Sequence, residues 1–200
     1  MLLALFIENF IYSDQRWYIY YKQCKEHIPE PRSEKFKFRS ATMDDLPHLR
    51  VFKKSHRLQE FKEWFEDGDI LLLALRNGQP VAYHCISKQS RTRIPLNRFP
   101  LRKDQIWISD IYTLPEYRCQ HIATLLREYR EWYLNRCGYK EIVSSINEKN
   151  IPSLLYARSG SYRMVRYITF RRVLFFKRFH EESDARARFD ACVNALTAHS

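Results

Sequence analysis

Residues 105–123 read QIWISDIYTLPEYRCQHIA. Gln105 to Leu114 is rich in β-branched and aromatic residues, the composition of a strand. Pro115 ends it, because proline has no N–H to donate to a ladder. From Ala123 to Cys137 the apolar residues Leu125, Leu126, Tyr129, Trp132 and Tyr133 recur at helical spacing, and Gly138 follows as a C-terminal cap. A strand that opens directly into a helix presents unpaired N–H groups and the positive end of the helix dipole, which suits phosphate oxygens. A further strand, Glu141 to Ile146, comes next. The piece 105–146 is therefore expected to be a parallel, right-handed strand–helix–strand crossover.

Working outward, Arg16 to Lys22 reads as a strand and 25–35, with Pro29 and Pro31, as a linker. Phe36 to Arg39 is a short strand. Thr42 offers a helix N-cap with Asp44 and Asp45 in the first turn, and helical periodicity runs to about Asp67 before Gly68. Ile70 to Leu75 and Pro80 to Ser87 flank Asn77-Gly78, a type I′ hairpin signal. Residues 88–104 form a basic, proline-bearing loop. Pro152 suits the first turn of a helix that runs to Ser159 and is capped by Gly160. Tyr162 to Phe179 reads as two strands, and Glu181 to Ala198 as a terminal helix. On strand 105–114, simple alternation puts Ile108, Asp110 and Tyr112 on one face and Trp107, Ser109 and Ile111 on the other.

The 200 residues carry 34 basic against 23 acidic side chains, a net charge of +11 that favours an anionic partner. With 45% hydrophobic residues the chain can build a core of its own, which excludes global disorder. The five cysteines, Cys24, Cys85, Cys119, Cys137 and Cys192, form no CxxC pair; free thiols in a reducing, cytoplasmic setting are expected, and no metal site. The four glycines are all spent on helix ends or the hairpin, so no glycine-rich phosphate loop exists. Residues 1–12 are apolar but interrupted by Glu8 and Asn9, and lack the basic start and small-residue cleavage site of a signal peptide. No stretch approaches the roughly 18 apolar residues of a membrane span. Residues 158–178 hold Arg158, Arg163, Arg166, Arg171, Arg172, Lys177 and Arg178 and no acidic residue; 91–103 add Arg91, Arg93, Arg98, Arg102 and Lys103. These are solvated faces or a surface for an anionic partner. No RNA-binding aromatic motif accompanies them, so nucleic acid is the minor reading, and DNA is not expected.

Two segments together resemble the GNAT acyltransferase superfamily. Its members carry an Arg/Gln-x-x-Gly-x-Gly/Ala loop after such a strand; here the loop is Arg118-Cys119-Gln120-His121-Ile122-Ala123. A later Asn-x-x-Ala/Ser-x-x-Tyr-x-x-x-Gly helix stands as Asn150, Ser153, Tyr156 and Gly160. With the Asn77-Gly78 hairpin upstream, the resemblance covers 36–178. It departs from the family at His121 and Cys119, where glycine is usual or frequent, and at Gly160-Ser161, where Gly-Phe is usual.

The resemblance implies a mixed α/β domain: a central twisted sheet of about six to seven strands flanked by helices, with a splayed parallel strand pair. The domain would span 36–178, with an N-terminal extension over 1–35 packing on it and a C-terminal helix over 179–200. It implies acyl transfer from acetyl-CoA or another acyl-CoA to a primary amine. Asp110 would act as general base and Tyr156 as the acid that protonates the leaving thiolate. The cofactor would be held by Tyr112, Thr113, Leu114, Arg118, Cys119, Gln120, His121, Ile122, Ala123, Thr124, Asn150, Ser153 and Tyr156. The acceptor is a small molecule or peptide, met by residues 40–68 and 88–104. The departures leave three readings open: acyl-CoA on a shifted loop, with His121 donating to a phosphate; an acidic acyl-carrier protein as donor; or a GNAT-shaped binding module without turnover. Monomer and dimer both remain open.

Overall fold

The computed structural model describes residues 12–25, 28–52, 55–89, 100–160, 162–173, 176–183 and 185–197. Among them are eight strands: β1 (Tyr12–Gln23), β2 (Lys37–Ser40), β3 (Ile70–Arg76), β4 (Gln79–Ser87), β5 (Gln105–Thr113), β6 (Glu141–Asn147), β7 (Arg163–Val173) and β8 (Phe176–Ser183). Four helices accompany them: α1 (Ser55–Glu66), α2 (Ile122–Arg136), α3 (Ile151–Ser159) and α4 (Arg186–Thr197). The strands follow the hydrogen-bonded order β2-β3-β4-β5-β6-β1-β7-β8, a mixed sheet. The count exceeds the six to seven expected from sequence. The chain divides into two compact units, the first holding β2–β5, α1, α2 and the start of β6, the second β1 up to Lys22, the rest of β6, β7, β8, α3 and α4.

In the first unit β2, β3, β4 and β5 pair antiparallel. Asn77 and Gly78 both have positive φ, 51° and 80°, as a type I′ turn requires. β6 begins beside β5: the N–H groups of Lys140 and Glu141 both donate to the Asp104 carbonyl, at 2.9 and 3.2 Å. Both strands start at this point, so they run parallel, as the crossover reading requires. Glu141 fixes the junction, accepting from Gln105 at 2.5 Å, Gln23 at 2.6 Å and Arg102 at 3.0 Å.

One side of this sheet buries Leu71, Leu73, Tyr83, Cys85 and Leu114 with Leu49, Phe52 and Phe61 of the segment 48–61. The continuous helix expected from Thr42 is instead two short 3-10 turns, Met43–Asp45 and His48–Phe52, followed by α1. Pro47 separates the turns, where its missing N–H breaks a helical ladder. His84 points to the opposite side from Tyr83 and Cys85 and is fully buried. Burial, and then the nearby Arg130 and Arg127 of α2, push its ionisation well below the usual histidine value.

Arg39 holds the first 3-10 turn. Its guanidinium donates to both oxygens of Asp45, at 2.6 and 2.5 Å, and the Thr42 N–H donates to Asp45 Oδ2 at 2.9 Å. The Arg39 hydrogen bonds, opposed by burial and aided by the Thr42 N–H, bring the Asp45 carboxyl from 3.8 down to about 2. A carboxyl depressed on folding stabilises the fold above its unfolded value and loses that contribution as pH falls from about 4 to about 2. Its size is on the order of 2 kcal/mol. Asp45→Asn should therefore melt below wild type at pH 6, and the gap should close by pH 2. A gap independent of pH would remove the carboxylate from the account.

In the second unit β1 pairs antiparallel with β7 from Tyr12↔Val173 to Tyr21↔Arg163, so the strand read as Arg16–Lys22 is longer. β7 pairs with β8. Glu181 to Ser183, expected to open the terminal helix, belong to β8, because they continue the register opposite Ile168 to Arg166. Leu154 and Ala157 of α3, Phe189 of α4 and Ala185 just before α4 are buried against Tyr18, Tyr20, Ile146 and Tyr167. Gly160, expected as a left-handed cap, has φ −94°. The α3 end therefore does not use glycine's freedom.

Candidate active site

β5 carries an irregularity that changes which residues share a face. Asp110 pairs with Cys85, but Ile108 pairs with Ile86, so Ser109 is an inserted residue. Its hydroxyl donates to the Cys85 carbonyl at 3.3 Å. A bulge shifts alternation by one. Paired residues share a face, so Asp110 and Tyr112 lie with Cys85 and Tyr83, while Ile108 lies with Ile86 on the other side. The expectation that Ile108 and Asp110 share a face is corrected: Trp107, opposite Ser87, is the upstream residue on the Asp110 face.

Asp110 is held at both oxygens. The Tyr83 hydroxyl donates to Oδ2 at 2.7 Å and the Ile111 N–H to Oδ1 at 3.0 Å. Tyr83 was not read from the sequence. It lies 27 positions away, and only the β4–β5 register brings it there. Its ring stacks on Tyr112 at 6.0 Å and meets Phe52 and Phe61 edge-on. The acidic group is thus partly buried, fixed in direction and backed by aromatic rings.

Past β5 the chain turns through a 3-10 segment, Pro115–Tyr117, to α2. The Leu114 N–H donates to the Val81 carbonyl at 3.0 Å and the Thr113 carbonyl accepts from Arg118 Nε at 3.3 Å. The Arg118 guanidinium lies over Tyr112, 5.9 Å from its centroid, and the Gln120 amide donates to the Glu116 carbonyl. Cys119, Gln120 and His121 are exposed, while Ile122 is buried and anchors the helix; Ala123 and Thr124 are half-buried. Cys119 has φ 60° and His121, the N-cap of α2, has φ 59°. Only glycine adopts this left-handed region without penalty, and another residue loses roughly 1–2 kcal/mol there. These are the two positions where the sequence departs from glycine. Both positions thus hold a backbone conformation that glycine favours.

In the second unit Asn150 caps α3, its Oδ1 accepting from the Ser153 N–H at 3.3 Å. Tyr156 is half-buried two turns on, and Ser159 donates to its carbonyl at 2.9 Å. Asn147 Oδ1 accepts from the Lys149 N–H and Glu148 accepts from the Tyr167 hydroxyl, so these two neighbours serve the strand end. Asp110, Tyr112, Thr113, Leu114 and Arg118 to Thr124 thus stand together in the first unit, and Asn150, Ser153 and Tyr156 in the second. The basic loop residues Arg91, Arg93 and Arg98 lie outside the described residues.

The family model described as the acetyltransferase (GNAT) family matches residues 36–160. The chain belongs to this family. The GNAT match takes in both the Arg118–Ala123 loop and the Asn150–Gly160 helix. No curated protein matches the chain. Solved structures share the GNAT fold at low identity. A GCN5-related N-acetyltransferase from Sphaerobacter thermophilus has a TM-score of 0.58 at 16% identity, covering 88% of this chain and 56% of that one. A conserved protein of unknown function from Staphylococcus epidermidis has a TM-score of 0.56 at 14% identity, covering 92% and 67%. A GCN5-related glucosamine N-acetyltransferase region of a fungal multi-domain GH3 β-N-acetylglucosaminidase has a TM-score of 0.57 at 16% identity, covering 84% and 22%. This chain thus matches about half the length of the first and about a fifth of the last.

Proposed function

We propose that this GNAT protein transfers an acetyl or longer acyl group from acyl-CoA to the primary amine of a small molecule or peptide. The observation that carries the reading is the pair of left-handed residues, Cys119 and His121, leading into the N-terminus of α2. A turn of this kind gathers N–H groups around an anion, and the helix dipole adds to it. Arg118 and His121, both exposed, add donors for phosphate oxygens. Backbone groups of Tyr112 and Thr113 are the proposed contacts for the pantetheine amides; at Leu114 the N–H is taken by Val81, and the carbonyl, which accepts from the Tyr117 N–H, has a second lone pair to offer. Asn150 and Ser153 are proposed cofactor contacts of the second unit.

In the proposed reaction the amine nitrogen bonds to the thioester carbon and the carbon–sulfur bond breaks. The amine proton passes to Asp110, directly or through water, and the Tyr156 hydroxyl gives its proton to the departing thiolate. Tyr83 keeps the Asp110 carboxylate pointed in one direction, and holding the amine against the thioester supplies much of the acceleration. The domain is taken as 36–178 with extensions over 1–35 and 179–200, and a cytoplasmic setting fits the exposed free thiols of Cys119 and Cys137.

The test is heat stabilisation by acetyl-CoA, a long-chain acyl-CoA and an acyl-loaded carrier protein. A ligand that binds only the native state must raise the melting temperature, by an amount that grows with its concentration over Kd. A shift with either CoA ester is the expected result. A shift with the loaded carrier alone moves the donor to the carrier protein, and none with any of the three leaves a binding module.

A further inference from the structure

Strand β8 stands last in the sheet order, and among the described residues it pairs with β7 alone. β2, at the other edge, spans four residues, whereas β8 spans eight and carries no proline. A strand edge of that length offers a row of backbone N–H and C=O groups to another strand unless something covers or breaks it. Arg178, Phe179, His180, Glu181 and Ser183 are all exposed.

Charge is sorted along β8, with Arg178 toward its start and Glu181 and Glu182 toward its end. Alternation puts Arg178, His180 and Glu182 on one face and Phe179 and Glu181 on the other. Arg178 lies directly opposite Arg171 of β7, a like charge, and Arg171 is answered by Asp14 at 3.6 Å. Arg178 itself has no hydrogen bond or ion pair among the described residues. Glu182 accepts from Arg188 of α4 through Oε2, at 3.1 Å, which leaves Oε1 open. One face of an exposed edge therefore carries an unanswered cation at one end and an available carboxylate oxygen at the other.

We infer that two copies of this protein pair antiparallel along β8, joining their sheets edge to edge. A two-fold axis normal to the sheet keeps each face on its own side, so residues that come opposite one another share a face. With His180 on the axis, Arg178 of each copy stands directly opposite Glu182 of the other, close enough for the side chains to interact. The complementary contact is thus made twice. On the other face Phe179, 39% exposed and packed on Phe170 with centroids 4.8 Å apart, becomes the diagonal neighbour of its own equivalent, a spacing that aromatic rings can bridge. A net charge of +11 opposes association and so short a ladder buries little area, so the dimer is weak, with a dissociation constant on the order of micromolar.

The experiment is sedimentation velocity of the full chain over a wide range of concentration, with a reductant present because Cys119 and Cys137 are exposed thiols. The expected result is a monomer–dimer equilibrium. Arg178→Glu sets carboxylates against each other across the two-fold and should weaken the dimer by roughly tenfold or more, with the melting temperature of the dilute protein unchanged. Glu182→Arg sets arginines against each other and should weaken it likewise. An equimolar mixture of the two variants should dimerise again, because each cross-strand pair is then one arginine against one glutamate. A chain that stays monomeric throughout overturns the inference. So does a dimer indifferent to Arg178→Glu, or a mixture of the two variants that associates no better than either alone.

Discussion

Tyr156→Phe is expected to slow acyl transfer by roughly 10²–10⁴-fold, the usual range for loss of one general acid or base. That is about 3–5 kcal/mol of transition-state stabilisation. The substitution removes one hydroxyl and keeps the ring. α3 is held by its neighbours Leu154 and Ala157, both buried against Tyr18 and Tyr20, and by the Asn150 cap, so the helix stays in place. The melting temperature should not move. The measurement is thiol release at saturating acyl-CoA: the fall should lie in kcat, because protonating a leaving thiolate contributes nothing to ground-state binding. A variant with the full wild-type rate would reduce Tyr156 to an ordinary helix residue.

Ala123→Asp should separate affinity from stability by moving them in opposite directions. Ala123 lies in the first turn of α2, where the dipole and the unpaired N–H groups favour negative charge. The fold should therefore be unharmed, or gain a few tenths of a kcal/mol. The same carboxylate stands where the phosphates of CoA are proposed to sit. Like charges brought together in a binding site cost several kcal/mol, so CoA affinity should fall by roughly 100-fold or more. Calorimetry gives the affinity and thermal denaturation the stability. Unchanged affinity would sink the loop assignment.

The sequence is informative wherever local chemistry decides the outcome. Asn77-Gly78 can close a hairpin in few ways, and Pro115 can only end a strand. The β5-to-α2 junction is legible for the same reason: strand composition stops and helical spacing starts within a few residues. What stays hidden depends on pairing. The bulge at Ser109 exists only relative to Cys85 and Ile86 of the neighbouring strand, and its one local trace is the polar pair Ser109-Asp110 inside an apolar run. β8 hides its last residues because Glu181-Glu182 reads as a helix start, and only the ladder to β7 assigns them to a strand. The loop shows the limit from the other side. The residue types at 119 and 121 give no sign of left-handed backbone, yet both residues adopt it and bear the strain.

That strain makes the loop a place for protein engineering. At most sites of a folded domain, a stabilising exchange has to be searched for among many neutral or harmful ones. Here two exposed residues, Cys119 and His121, each hold a conformation that the most permissive amino acid would accept without steric cost. Installing glycine at either relieves the folded chain of that strain while granting the unfolded chain extra freedom, so the net gain is smaller than the strain itself. The chain forgoes this gain at both positions.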